Sequence, residues 1–510
     1  MFLSLTPTSI ALLAFVSFIL PILILTRRPR HFPPGPAELP IIGNLHQLPT
    51  KCGLLATFTE WNEKYGDVIG LRVLGRPAIV LGSHRAVHEI MEKRAASCSA
   101  RPKLVMIDEI AQINKYPSLN SDPVVHKQAR RLFAKAFSSR GVQAYHTILI
   151  TEMRRAVLTI MESNDGHAWL VPLRRAVASL TTQIVYAQEA RTEDDPFFCK
   201  VMRLLKPVGM AGKTGTYVVE AFQFLKHLPG WFPGASFKHE GQELHDKCLE
   251  AVNEPYDIVR DNLAAGTAES CFVADMLQGE DGQIVMDQAA QERLKWAAGA
   301  LLLAGTDTTV ATLQMVLVAL LQYPSVQQRA QAEFDSVIGR DRLPTIEDRE
   351  NLPYCTAIMQ EILRWNPVVP LCVPHQLTED IEYNDRVLPK GSIVVANTWA
   401  LSREASVYAD GDTFIPERFM NPSTVLGTDG REVFGFGRRK CPGIHLSEAS
   451  IFAFICTFVW AASMCPSKNW DGSELQYEDG GSVVNRPKNL PAEAKPRSQN
   501  VVEMLKNAVL

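Results

Sequence analysis

The segment Phe434-Gly435-Phe436-Gly437-Arg438-Arg439-Lys440-Cys441-Pro442-Gly443 concentrates the clearest chemistry in the chain. Its glycines permit a tight backbone bulge. Its cysteine stands at the start of a helix expected over residues 443–464. Free amide groups and the positive end of a helix favour thiolate over thiol. A thiolate on a rigid loop can ligate a haem iron from one side and leave the opposite side open. Arg439, two residues earlier, can pair with a haem propionate carboxylate. The ten cysteines are otherwise scattered and none forms a C-x-x-C pair, so neither a zinc ribbon nor a thioredoxin-type site is signalled. Inert buried thiols in a reducing compartment are the expectation for the other cysteines.

A second group lies in a long, mostly apolar helix expected over residues 293–322, as Ala304-Gly305-Thr306-Asp307-Thr308-Thr309. Glycine followed by hydroxyl side chains can loosen the i→i−4 ladder, because the hydroxyls offer competing hydrogen bonds. A carboxylate in such an apolar run is costly unless it is paired or used. Further along, Glu361-Ile362-Leu363-Arg364 places an acid and a base at i,i+3, where side chains on one helix face meet.

These motifs, with Pro416-Glu417-Arg418-Phe419 and the run from Pro367 to Pro374-His375, occur in an order and spacing that resembles the cytochrome P450 family over nearly the whole chain. The likeness is to membrane-bound microsomal members, and among them to fungal enzymes of secondary metabolism. The resemblance implies a mainly α fold with small β-sheets (α+β) and an N-terminal transmembrane helix. It implies haem b bound through Cys441, with Phe434, Gly435, Arg439, Arg130, His375 and His126 as further haem contacts. In the stretch His126-Lys127-Gln128-Ala129-Arg130, His126 stands where the family usually has tryptophan; its N–H can still donate to a carboxylate. By the same resemblance Thr308 would hydrogen-bond the bound oxygen species and Asp307 would relay protons, while Glu361, Arg364 and Arg418 would form a structural ion network under the cysteine loop. Arg486-Pro487 and Pro496-Arg497-Ser498 fit the family's C-terminal pattern without its usual aromatic residue.

The supporting elements follow from pattern. No charged residue occurs in 1–26, and 10–25 is apolar apart from Ser17, which is enough for a membrane anchor. Arg27, Arg28 and Arg30 then place the rest in the cytosol by the positive-inside rule. A cleaved signal peptide fits less well, since a basic n-region is missing. Residues 27–53 read as a basic, Pro-rich hinge, stiff and extended, and 54–510 as one haem-thiolate monooxygenase domain. Helices are expected at Leu54–Tyr65, from Ser83 to about Lys93, at 325–338 and at Pro353–Trp365. A hairpin is expected at Val68–Val73 and 78–81 around Gly75-Arg76-Pro77, with short strands at Ile381–Tyr383 and 392–396. Helix breaks are expected near 207–212 and 228–234.

The chain has 510 residues, with 52 Lys+Arg against 55 Asp+Glu, a net charge of −3. That balance argues against nucleic acid as a partner. With no dinucleotide-binding fingerprint in the chain, electrons must come from elsewhere. The resemblance implies an NADPH–cytochrome P450 reductase, a flavoprotein at the endoplasmic reticulum membrane, so NADPH acts indirectly. Arg438, Lys440, Lys127 and Arg131 could form a basic docking face. The candidate pocket residues Met106, Ile107, Ile110, Leu301, Ala304, Val369, Val373, Val483 and Val484 are all apolar, pointing to a lipophilic small-molecule substrate; family habit suggests a terpenoid or polyketide. A reductase-independent isomerase or dehydratase and a non-enzymatic haem-binding protein are the competing readings.

Overall fold

The computed structural model describes residues 31–49, 53–163, 169–212, 216–278, 286–420, 430–468 and 486–509, with 470, 475, 477 and 484. The expected anchor at 1–26 lies outside them. The chain forms two compact units. One takes the described residues up to Pro102 with Leu371–Leu401 and Phe436–Arg438; the other takes Lys103–Pro370, Ser402–Gly435 and residues from Arg439 onward.

The first unit is built on a small mixed sheet. Helix α1 (Leu54–Tyr65) leads into strands β1 (Val68–Val73) and β2 (Arg76–Leu81). Their turn is Leu74-Gly75, both at positive φ, as a two-residue hairpin requires. The expected turn at 75–77 is therefore displaced, and Pro77 lies within β2. That is tolerated because the neighbour on its other side pairs only from Ala78 onward. Ser83 caps α2 (His84–Val87) by accepting from Ala86 N at 3.1 Å, and a wider turn continues over His88–Glu92. Strands β3 (His375–Gln376), β4 (Ile381–Tyr383), β5 (Arg386–Leu388) and β6 (Ile393–Ala396) follow. The main sheet has the order β1-β2-β6-β3, with β2 and β6 parallel. The described part of the proline-rich stretch is fastened to this sheet. Phe32 is buried, and Gly70 N donates to Pro34 O at 2.8 Å. A Cβ on Gly70 would lie 2.5 Å from the Phe32 ring, so only glycine fits there.

The second unit is helical. Its principal helices are α3 (Pro123–Ala136), α4 (His146–Glu162), α5 (Leu170–Tyr186), α6 (Pro196–Ala211), α7 (Ser236–Ala265), α8 (Gln288–Gln322), α9 (Pro324–Val337), α10 (Pro353–Trp365) and α11 (Ile444–Ala461). Strands β7 (Ala462–Pro466) and β8 (Ala492–Pro496) and helix α12 (Gln499–Val509) complete it. One large apolar cluster joins α4, α5, α8, α10 and α11. Helices α8 and α11 are long and apolar enough to cross a membrane, but 67% and 78% of their most apolar windows are buried, which marks them as core helices here.

One helix end needs correction. The helix after Cys441 stops at Ala461, because residues 462–466 pair with β8, Ala462 opposite Pro496. The break expected near 207–212 falls at its far end: α6 runs through Pro207 to Ala211 and is capped at Gly212, and Pro255 likewise lies inside α7. Each proline removes one ladder bond, and helices that bury an apolar face in a core can absorb that loss.

Candidate active site

The cysteine loop is shaped by its glycines. Residues 431–434 form a tight 3-10 turn, then Gly435 and Gly437 take positive φ of 77° and 56°. A Cβ on Gly437 would lie 2.3 Å from Met91 O, so the backbone must pass bare. Cys441 N donates to Phe434 O at 2.7 Å, closing the loop. Gly443 N then points at Cys441 Sγ at 3.3 Å, one residue before α11 begins. Burial pushes the Cys441 thiol up from its ordinary range, opposed by that N–H and by the Arg130 cation. The expected preference for thiolate is therefore not supplied by the helix start alone. Burial outweighs it, and a bound cation is what would make the thiolate favourable. Cys98 and Cys456, also buried, are pushed up to about 12, in line with inert core thiols.

Two of the expected cationic groups make hydrogen bonds at or beside the loop. Arg130 donates from α3 to Lys440 O at 2.5 Å. His126 lies four residues earlier on the same helix, half-buried. Arg439 donates to Pro117 O at 3.0 Å and to Asn120 O at 2.6 Å. In the other unit, His375 is buried with Nδ1 2.6 Å from Cys98 O. Arg101, which the sequence gave no reason to select, donates to Val373 O at 2.7 Å and Pro374 O at 2.8 Å. Burial pulls its guanidinium down to about 10. The only sequence signal for it is a cation ending a run of small residues, Ala95-Ala96-Ser97-Cys98-Ser99-Ala100.

In α8, residues 309–321 are buried, whereas Ala300, Leu301, Leu303, Ala304, Gly305, Asp307 and Thr308 are half-buried or exposed. Within that open stretch Ala300, Leu301, Ala304 and Thr308 share one helix face and form an open stripe. Thr308 Oγ1 donates to Ala304 O at 2.7 Å and Thr312 Oγ1 to Thr308 O at 2.9 Å, while Thr306 Oγ1 donates to Leu302 O at 2.7 Å. Asp307 does not stand alone: Arg486 donates to Oδ1 at 2.8 Å and reaches Oδ2 at 3.5 Å.

Glu361, Arg364 and Arg418 make a buried set of ion pairs. Arg364 Nε and Nη2 donate to Glu361 Oε2 and Oε1 at 2.6 and 2.7 Å, and Arg418 Nε reaches Oε1 at 3.1 Å. Arg364 also donates to the carbonyls of Ser402 and Gly411, and Arg418 to Ala409 O. Arg403 was not foreseen; it donates to Trp365 O and Asp412 beside the same region.

The apolar candidates divide. Met106 and Ile107 are buried in helix-packing clusters, Met106 with Phe237 and Ile107 with Leu204 and Trp296. Ile110 packs with Met106's cluster, and a Cβ on Gly241 of α7 would lie 2.5 Å from it. Leu301 and Val369 are half-buried, and Ala304 is exposed. Val484 forms a small cluster with Ala311 and Val368. Val373 belongs to the first unit. Val483 lies outside the described residues.

A haem bound through sulfur takes one axial thiolate and cationic partners for its two carboxylates. This chain offers one loop-held thiol with an N–H on it, and Arg130 and Arg439 donating at and beside that loop, a donor set that suits such a group.

Comparison with known proteins agrees with that donor set. The family model described as Cytochrome P450 matches residues 33–488. The chain is similar to Cytochrome P450 monooxygenase 58 of Postia placenta, 34% identical over 485 residues that cover 93% of this chain and 90% of the relative. It is also similar to monooxygenase 45 of that fungus, 33% identical over 509 residues (98% and 94%), and to monooxygenase 176, 30% identical over 505 residues (97% and 96%). The chain belongs to the cytochrome P450 family. It is a monooxygenase enzyme with haem iron as its cofactor.

Proposed function

We propose that this monooxygenase oxidises a lipophilic small molecule, a terpenoid or polyketide of secondary metabolism, with electrons from NADPH delivered by a membrane-bound reductase. Residues 1–26 anchor it in the endoplasmic reticulum membrane, and 54–510 serve as the cytosolic catalytic domain. The observation that carries the reading is the Cys441 loop, with Gly443 N 3.3 Å from Sγ. When bound, haem supplies the redox chemistry that activates dioxygen.

The chain's own residues do the rest. Cys441 holds the iron, and the Gly443 N–H and Arg130 stabilise its negative charge. Arg439, Arg130 and His126 serve the haem carboxylates. The open stripe of α8 gives Ala304 and Leu301 to the substrate side, and its apolar surface excludes water. Asp307 Oδ relays protons to Thr308 Oγ1, which sits one residue on and faces the open side. Lys127 and Arg131, exposed at i,i+4 on α3, with Lys440, present positive charge to an acidic reductase.

A reductase-reconstituted assay tests this. Product formation that requires both NADPH and oxygen is expected. Product formed by rearrangement of a substrate without either would overturn it.

A further inference from the structure

Asp307 is already engaged. Its carboxylate is held by Arg486 at 2.8 and 3.5 Å, and the two side chains are only 17% and 14% exposed. A paired, mostly buried carboxylate has one geometry, and a charge-assisted pair with two contacts resists rotation. The partner comes from a segment that also touches the apolar wall. Val484, two residues before Arg486, packs against Ala311 of α8 and Val368. Ala311 is one helical turn beyond Asp307, on the same face.

We propose that Arg486 is the positioning residue for Asp307: it fixes the carboxylate that feeds Thr308 Oγ1, and its own place is set by the docking of Val484 on α8. The inference rests on reading Asp307 as the proton-relay acid. Arg486 acts on the proton path through Asp307. With it in place, the carboxylate stays one residue from Thr308 and cannot swing to another donor. Without it, the acid loses its orientation and protons arrive late at the oxygen side.

Four variants test this in the full-length, haem-loaded enzyme: Arg486→Gln, Arg486→Lys, Asp307→Asn and the double variant Arg486→Gln/Asp307→Asn. The first readout is thermal unfolding. Both single glutamine and asparagine variants should lower Tm, and the double should fall no further than the worse single, since one interaction is lost in each. Strictly additive losses would show that the pair does not form in solution and would overturn the proposal.

The second readout is the partition of reductase-driven NADPH oxidation between peroxide and water, without added substrate, in H2O and D2O. Asp307→Asn and Arg486→Gln should each lower the water-to-peroxide ratio by about tenfold, a modest general acid effect, and should change the solvent isotope effect in the same direction. Arg486→Lys should recover much of the loss. A wild-type partition in Arg486→Gln, with Asp307→Asn altered, would overturn the role of Arg486 alone. A wild-type partition in Asp307→Asn would overturn the relay reading beneath it, whatever the thermal cycle shows.

Discussion

Glu361 and Arg364 form a two-point ion pair one helical turn apart, at 2.6 and 2.7 Å, with both side chains wholly out of solvent. Such a pair holds only if every other polar atom is also met. Here Arg418 takes the second share of Glu361 at 3.1 Å, Ile415 N donates to the same oxygen at 2.7 Å, and backbone carbonyls receive the remaining Arg364 donors. The network ties α10 to the chain between Ser402 and Arg418, a long stretch with little regular structure of its own.

Removing one member leaves a buried charge uncompensated. Arg364→Met should destabilise the protein by about 3–5 kcal/mol, and Arg364→Lys should not rescue it, because one ammonium cannot serve two carboxylate oxygens and three carbonyls. Chemical denaturation of the haem-loaded variants measures this. A loss below about 1 kcal/mol, the range of surface pairs, would contradict the network's structural weight.

Thr308→Ala removes a hydroxyl that here only back-bonds to Ala304 O. The fold should lose about 1 kcal/mol or less, and haem should be retained. Reducing equivalents should be diverted from product to peroxide. Product yield per NADPH, measured beside Tm, separates the two effects. An unchanged yield would remove Thr308 from the proton path.

Arg101→Gln should destabilise the protein by about 1–3 kcal/mol, because the buried guanidinium satisfies the carbonyls of Val373 and Pro374. Chemical denaturation is the check. An unchanged midpoint would contradict that role.

Acid stability should depend in part on Asp348. Hydrogen bonds from Arg342 hold its carboxyl below the usual carboxylate range, against the opposing effect of burial. A carboxylate whose folded value is depressed contributes stability above its unfolded value, near about pH 4, and loses it as pH falls through the folded value. Asp348→Asn should lower Tm at neutral pH and narrow the gap to wild type as pH drops below about 4. A gap that stays constant across that range would contradict the assignment.

Much of the site was legible in the sequence because it is encoded locally. The cysteine loop is ten consecutive residues, the Glu361–Arg364 pair is spaced by one turn, and α8 carries one long, mostly apolar run. What was not legible depends on distant partners. Residues 462–466 look helical until β8, about thirty residues on, claims them as a strand. Arg101 and Arg486 carry no local pattern, and their significance appears only when Val373 O, Pro374 O and Asp307 are placed beside them. Met106 and Ile107 share the composition of pocket residues with that of helix packing, and apolar type alone does not separate the two.

The central claim is that Cys441 is the one sulfur that binds the haem iron. The reduced, carbon-monoxide-treated spectrum of wild type, Cys441→Ser and the core-thiol control Cys98→Ala tests it most directly. The wild type and Cys98→Ala should share the thiolate-type band, and Cys441→Ser should lose it. A thiolate-type band persisting in Cys441→Ser would contradict the account.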